Sequence, residues 1–268
     1  MPRLSVDIDV VYTDYSTPRP AALKAIGEGL DHARKQLVKF GLEAEVSATR
    51  AGDEIKLFIR RGGVQVKVEV NHVFRGTVLP VETRALNAEA KRIFTTDLSA
   101  PVLATPELYG SKLVAAMDRQ HPRDIFDVRG IYKTTGLNAD VVECFVCYLA
   151  GHNRPVHEVL FSNYVDLSAP FENEFQGMAQ CPITLAELQK VRTKLKKELP
   201  SKLADNHRQF LIGLVSGEPD WQLMKCPHLE KLPAIQWKIQ NLARLSKSNP
   251  KKFAQQAEEL RTRFAAKK

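Results

Sequence analysis

Polar and apolar residues alternate with a period of two along Arg3–Tyr12, RLSVDIDVVY, the pattern of a half-buried β-strand. Residues two apart on a strand share a face, so Asp7 and Asp9 are expected side by side. Val6, Ile8 and Val10 are expected to point the other way, into a core. The next segment places Ala22, Ile26, Leu30, Ala33, Leu37 and Phe40 at helical spacing, so an amphipathic helix is predicted over Arg19–Phe40, closed by Gly41. Alternation returns over Leu42–Ala48, Ile55–Arg60 and Val64–Asn71, with turns at Ala51–Asp53 and Arg61-Gly62-Gly63. In VQVKVEVN the valines take one face, and Gln65, Lys67, Glu69 and Asn71 the other. A short helix is predicted at Arg84–Arg92, then an apolar stretch at Pro101–Thr105.

From Pro106 onward the periodicity is helical. Thr105-Pro106-Glu107 has the chemistry of a helix start: a hydroxyl at the N-cap, proline at the first helical position, an acid in the first turn. That helix reads PELYGSKLVAAMDRQ, and Lys112 and Arg119, seven apart, share a face. A second helix, PRDIFDVRGIYKTTG, starts at Pro122, carries Ile125, Val128 and Tyr132 as a core stripe and closes at Gly136. On it Arg123 and Asp127 are four apart, and Asp124 and Asp127 three apart. The rest reads as a helical bundle with irregular connections at Gly151–Pro155 and Ser168–Pro182. These elements imply an α/β (α+β) chain. A small mixed-sheet domain over residues 1–105 precedes an all-helical domain over 106–268.

The sequence has 268 residues, 26% charged and 44% hydrophobic, with a net charge of +8, which favours a polyanionic partner. Much of the surplus lies in AELQKVRTKLKKELPSK, with Lys190, Arg192, Lys194, Lys196, Lys197 and Lys202. The tail adds Arg244, Lys247, Lys251, Lys252, Arg261, Arg263, Lys267 and Lys268. Such runs read either as solvated helix faces or as a surface for RNA or a protein partner. No apolar run is long enough to span a bilayer, and the expected location is the cytoplasm. Cys144 and Cys147 have C-x-x-C spacing within the apolar ECFVCYLA, which favours buried helix residues over a redox or zinc site. Cys226-Pro227-His228 has no second ligand pair.

Asp7 and Asp9 are unfavourable within a strand unless something compensates their mutual repulsion. A solvated face is the bland reading of a lone D-x-D. The alternative is a set of oxygen ligands for Mg²⁺, and Glu69 on a second polar strand face, with Lys112 on the next strong helix, gives it partners. Three carboxylates and a lysine suit nucleotidyl transfer assisted by two metal ions.

SVDID, then VKVEV, then ELYGSKLVAAMDRQHPRDIFDV resembles the AbiEii-type nucleotidyltransferase toxins of the DNA polymerase β-like superfamily. The most specific part is the last: a helix lysine, an arginine, then R-D-x-x-D. The resemblance covers the first half well, and the second as a helical domain of suitable size. It implies a toxin of a type IV system with a cognate antitoxin, using NTP and Mg²⁺ (or Mn²⁺), with the 3′ end of tRNA as acceptor. It assigns Asp7 and Asp9 as metal ligands and Glu69 as the third carboxylate near the attacking hydroxyl and its candidate proton acceptor. Lys112 would meet the triphosphate. Arg119 and Arg123 would meet nucleotide or acceptor phosphates, with Asp124 and Asp127 orienting them or simply pairing with Arg123. Such toxins carry a glycine pair upstream of D-x-D, and Gly62-Gly63, at a hairpin, is no substitute. A late start or a shortened, weak transferase is therefore expected. The competing reading is an impaired shell that binds RNA or antitoxin. An aminoglycoside nucleotidyltransferase is disfavoured, because a cationic substrate calls for an acidic groove.

Overall fold

The computed structural model describes residues 3–5, 7–48 and 55–266. By backbone contacts the chain divides into two compact units. One comprises Met1–Gly76 with Gly177–Pro182 and Lys231–Gln236; the other comprises Thr77–Gln176, Ile183–Glu230 and Trp237–Lys268. The expected boundary near residue 105 marks the onset of continuous helix, whereas the contacts group residues 77–105 with the helices that follow.

In the first unit, β1 (Asp7–Val11) is followed by α1 (Arg19–Lys39), β2 (Glu43–Ala48), β3 (Ile55–Arg61) and β4 (Val64–Asn71). The sheet order is β1-β4-β3-β2, with β1 parallel to β4 and the other pairs antiparallel. Ile26 and Leu30 of α1 bury against Leu57 of β3, and Val46, Ile55, Ile59, Val68 and Val70 pack around them. The β3–β4 turn needs two left-handed residues, and Gly62 and Gly63 supply them at φ 56° and 80°.

The expectation that Ile8 and Val10 enter the core does not hold: they are 52% and 40% exposed. Their register with Val68 and Val70 puts them on the face that α1 covers. The helix stripe packs on β2 and β3, however, and leaves the β1 end of that face open. Val6, the predicted turn at Ala51–Asp53, Lys267 and Lys268 lie outside the described residues.

The second unit opens with β5 (Glu82–Ala85), α2 (Ala88–Phe94) and β6 (Ser99–Val102), the strands pairing antiparallel. The helix predicted at Arg84–Arg92 therefore starts later. Arg84 lies in β5, and Asn87 caps α2 by accepting from the Ala90 amide at 2.8 Å. Helices then follow along the chain: α3 (Thr105–Asp118), α4 (Pro122–Lys133), α5 (Ala139–Ala150), α6 (Val156–Leu160), the short α7 (Ser168–Pro170), α8 (Leu185–Lys202), α9 (Asp205–Val215), α10 (Pro233–Ser248), whose first turn groups with the first unit, and α11 (Pro250–Ala265). A π-turn at Phe171–Phe175 continues α7.

Gly110 lets α3 approach α5 closely, since a Cβ there would lie 2.6 Å from the Phe145 amide nitrogen. Cys144 and Cys147 are buried thiols in that apolar contact, and burial pushes Cys144 up to about 12. Among the described residues no helix is long and apolar enough to cross a membrane.

Candidate active site

In the first unit, the parallel pairing of β1 with β4 brings the predicted carboxylates together. Asp7 lies beside Lys67 and Asp9 beside Glu69, so the three carboxylates share one sheet face. Neighbouring strands lie about 4.8 Å apart and residues two apart on a strand about 7 Å, distances over which carboxylates feel each other strongly. Cations answer that charge: Lys67 Nζ lies 2.9 Å and Lys56 Nζ 3.2 Å from Glu69 Oε1. The hydrogen bond from Lys67 is the main reason the Glu69 carboxyl sits below the usual glutamate range.

Oxygen donors on one face suit a hard divalent cation. Among the described residues no three His, Cys, Asp or Glu side chains close into a metal cage. The Glu69 carboxylate is turned to the two ammonium groups, which supply positive charge on the same strand face.

In the second unit, α3 and α4 carry the remaining predicted residues. Lys112 Nζ donates to Asp127 Oδ2 at 2.7 Å, and Arg119 contacts Asp124 through Nη2 at 2.8 Å and Nε at 3.1 Å. Lys112 and Arg119 lie on one face of α3, as their spacing predicts. The acids pair across to that helix rather than with Arg123 on their own. The alternative of a local ion pair with Arg123 is thereby corrected: no ion pair of Arg123 is found among the described residues. The histidine before Pro122, not singled out in the sequence, is the N-cap of α4, its Nδ1 accepting from the Arg123 amide at 3.2 Å.

Two further details differ from the expected helix start. The N-cap of α3 is Ala104, without a side-chain cap, and Thr105 Oγ1 accepts from Arg84 instead. Glu107, predicted as a first-turn acid complementing the helix dipole, is fully buried. Its carboxylate accepts from the amides of Val78 at 2.7 Å and Leu79 at 2.9 Å and from the Tyr148 hydroxyl at 3.0 Å. Burial outweighs these donors and raises its pKa. His228 Nε2 donates to the Thr77 carbonyl at 2.7 Å, so the Thr77–Leu79 connector is pinned at three successive residues. A first-turn acid flanked by apolar positions was the only sequence signal for this anchor.

A mixed four-stranded sheet with a D-x-D edge strand, followed by a lysine-bearing helix, defines a nucleotidyltransferase fold. The model of the family described as "Nucleotidyl transferase AbiEii toxin, Type IV TA system" matches residues 1–241, and the chain belongs to that family. It is therefore a nucleotidyltransferase toxin of a type IV toxin–antitoxin system, and membership implies an antitoxin partner and an NTP substrate. Among solved structures the chain resembles MenT4, a nucleotidyltransferase toxin from Mycobacterium tuberculosis H37Rv. The TM-score is 0.56 and the identity 19%, over 90% of this chain and 78% of that one. At that identity the likeness concerns the fold. No curated protein matches the sequence.

Proposed function

We propose that this toxin acts in the cytoplasm and transfers a nucleotide from NTP to the 3′ end of tRNA with the help of two divalent cations, Mg²⁺ or Mn²⁺. The observation that carries this reading is the register that sets Asp9 beside Glu69 on the Asp7 face. Asp7, Asp9 and Glu69 would hold the cations, which supply charge neutralisation at the triphosphate and acidify the attacking hydroxyl.

The 3′ oxygen attacks the α-phosphorus, the bond to the leaving pyrophosphate breaks, and the hydroxyl proton leaves to a carboxylate or to water. A depressed pKa keeps Glu69 ionised at neutral pH, which suits a ligand better than a proton acceptor. Lys112 neutralises charge building on the pyrophosphate, and Asp127 fixes its ammonium in place. Asp124 orients Arg119 towards phosphate, and Arg123 adds a further cation.

The test is incubation of the purified protein with each α-labelled NTP, total tRNA and Mg²⁺. Label is expected in tRNA, lost on chelation and in Asp9→Asn. Labelling that persists in that variant, or no labelled RNA with any NTP, would overturn the reading.

A further inference from the structure

Within the second unit lies an open cavity of about 440 Å³, roofed by the Phe161–Val165 loop and walled by α6 and α11. Its volume is within the range of about 300–1,000 Å³ common for small-ligand sites. Gln120 and two residues of α8 hold the loop. Gln120 Nε2 donates to the Asn163 carbonyl at 2.5 Å and to Ser162 Oγ at 3.3 Å. Arg192 donates to the Val165 carbonyl and, at 3.4 Å, to Gln120 Oε1. Lys196 donates to the Ser162 carbonyl and, at 2.6 Å, to its hydroxyl. Gln120 holds a left-handed backbone, φ 52°, which costs a non-glycine residue about 1 kcal/mol or more.

Arg192 is only 7% exposed, and among the described residues its Nε has no hydrogen-bond partner. Its guanidinium lies 4.9 Å from the Tyr164 ring centroid, and Lys196 Nζ lies 5.1 Å from it. Two cations from one helix thus back a tyrosine that is still 58% exposed.

The polar lining narrows the ligand. Its ions are already paired: Arg154 with Asp118 at 2.5 Å and Glu158 at 3.3 Å, Arg263 with Glu259 at 2.9 Å. What remains to recognise a ligand is neutral. No hydrogen bond of the Asn163 amide or the His157 ring is found among the described residues, and burial lowers the His157 pKa, favouring the neutral ring. An amide, a neutral imidazole and an open aromatic face suit a flat, uncharged group with a hydrogen-bonding edge. Exposed Lys190 and Lys197 on α8, the helix that supplies Arg192 and Lys196, can follow a phosphate backbone.

We propose that this cavity captures one unpaired nucleobase of the RNA acceptor, stacked on Tyr164 and read at its edge by Asn163 and His157. This rests on the acceptor being RNA. It adds a binding position distinct from the residues assigned to chemistry, and its probe is equilibrium binding rather than transfer.

The experiment is fluorescence anisotropy of the full chain with a short single-stranded RNA, and with the same strand carrying abasic residues, at several salt concentrations. Stacking on an aromatic side chain is worth about 1–3 kcal/mol per base, so Tyr164→Ala is expected to weaken binding about 5- to 150-fold while Tyr164→Phe binds as the parent. Abasic RNA should bind the parent as weakly as the intact strand binds Tyr164→Ala, and removing bases should cost that variant little more. Tyr164→Ala should leave the salt slope unchanged, whereas Lys190→Ala with Lys197→Ala should reduce it. Equal binding of RNA by Tyr164→Ala and the parent, or no RNA binding by the parent, overturns the proposal. Transfer assayed separately with NTP separates the two readings: base-dependent binding without tRNA labelling leaves this site standing and removes tRNA as acceptor, and labelling without a Tyr164 effect does the reverse.

Discussion

Lys112 on α3 reaches Asp127 on α4 at 2.7 Å, and two turns further along α3, Arg119 meets Asp124 in the same way. These pairs bridge the helices and hold both cations in fixed directions, an arrangement that lowers the entropy lost when they meet a phosphate. Lys112→Ala is expected to lower kcat about 10²–10³-fold with its thermal unfolding unchanged, since a positioned cation acts on charge that develops in the transition state. Asp127→Asn keeps an acceptor but loses the countercharge and should cost less, about 10–100-fold. Transfer by Lys112→Ala at the parent rate would remove it from the site.

Glu69 gives a metal-binding prediction with a pH sign. Its folded pKa is depressed by the hydrogen bond from Lys67, so it stays ionised to lower pH than a free glutamate. The stability it contributes is present above the ordinary glutamate range and lost as pH falls through the lowered value. Mn²⁺ binding, followed by electron paramagnetic resonance, should therefore persist into mildly acidic solution in the parent. Glu69→Gln and Asp9→Asn should each weaken it at least about 10-fold. Unchanged Mn²⁺ binding in both variants would show that the cation is held elsewhere.

The strand face that carries these groups was legible because side-chain parity is a local property. The alternation of Val64–Asn71 alone put Glu69 on the polar side, and the pairing of β1 with β4 made that the Asp7 and Asp9 side. Parity says which residues share a face, not what covers it, which is why Ile8 and Val10 were misplaced. The pairing of Asp124 and Asp127 was half legible. Spacing rules look along one helix and pointed to Arg123, while the actual partners come from the preceding helix. Arg192 was hidden for the reverse reason. It sits in a run of lysines that reads as a solvated face, yet Gln120 and the loop carrying Tyr164 contact its guanidinium and it is buried. Buried Glu107 was likewise out of reach, because its donors lie 28 to 41 residues away along the chain, on both sides of it.

Glu107 ties the first turn of the lysine helix to the Thr77–Leu79 connector, so its loss should be read first in stability. Glu107→Ala would strand the amides of Val78 and Leu79 in a dry interior. Buried donors without partners cost about 1–3 kcal/mol each and are partly rehydrated on relaxation, so a loss of about 3 kcal/mol is expected in urea unfolding. Glu107→Gln should cost less, because its amide oxygen still accepts. A change below about 0.5 kcal/mol in Glu107→Ala would mean that the connector is held without it.

The last prediction concerns a buried lysine that no proposed step uses. Lys238 on α10 donates to the carbonyls of His152 at 2.9 Å and Arg154 at 2.7 Å, and burial lowers its pKa to about 8. In the unfolded chain the same ammonium keeps its proton to the ordinary lysine value of 10.5. Between those two values the unfolded state binds more protons than the folded one, so stability from this group rises with pH and levels off above the unfolded value. Below about pH 8 both states are protonated and the penalty for burying the charge is constant. Lys238→Met removes the titration while keeping most of the apolar stem. The unfolding free energy of the parent minus that of Lys238→Met should therefore climb by about 3 kcal/mol from neutral pH to above pH 10. Other lysines and tyrosines titrate in the same window but cancel in the difference. A difference that stays flat over that range would show that Lys238 keeps an ordinary pKa and reaches water in the folded protein.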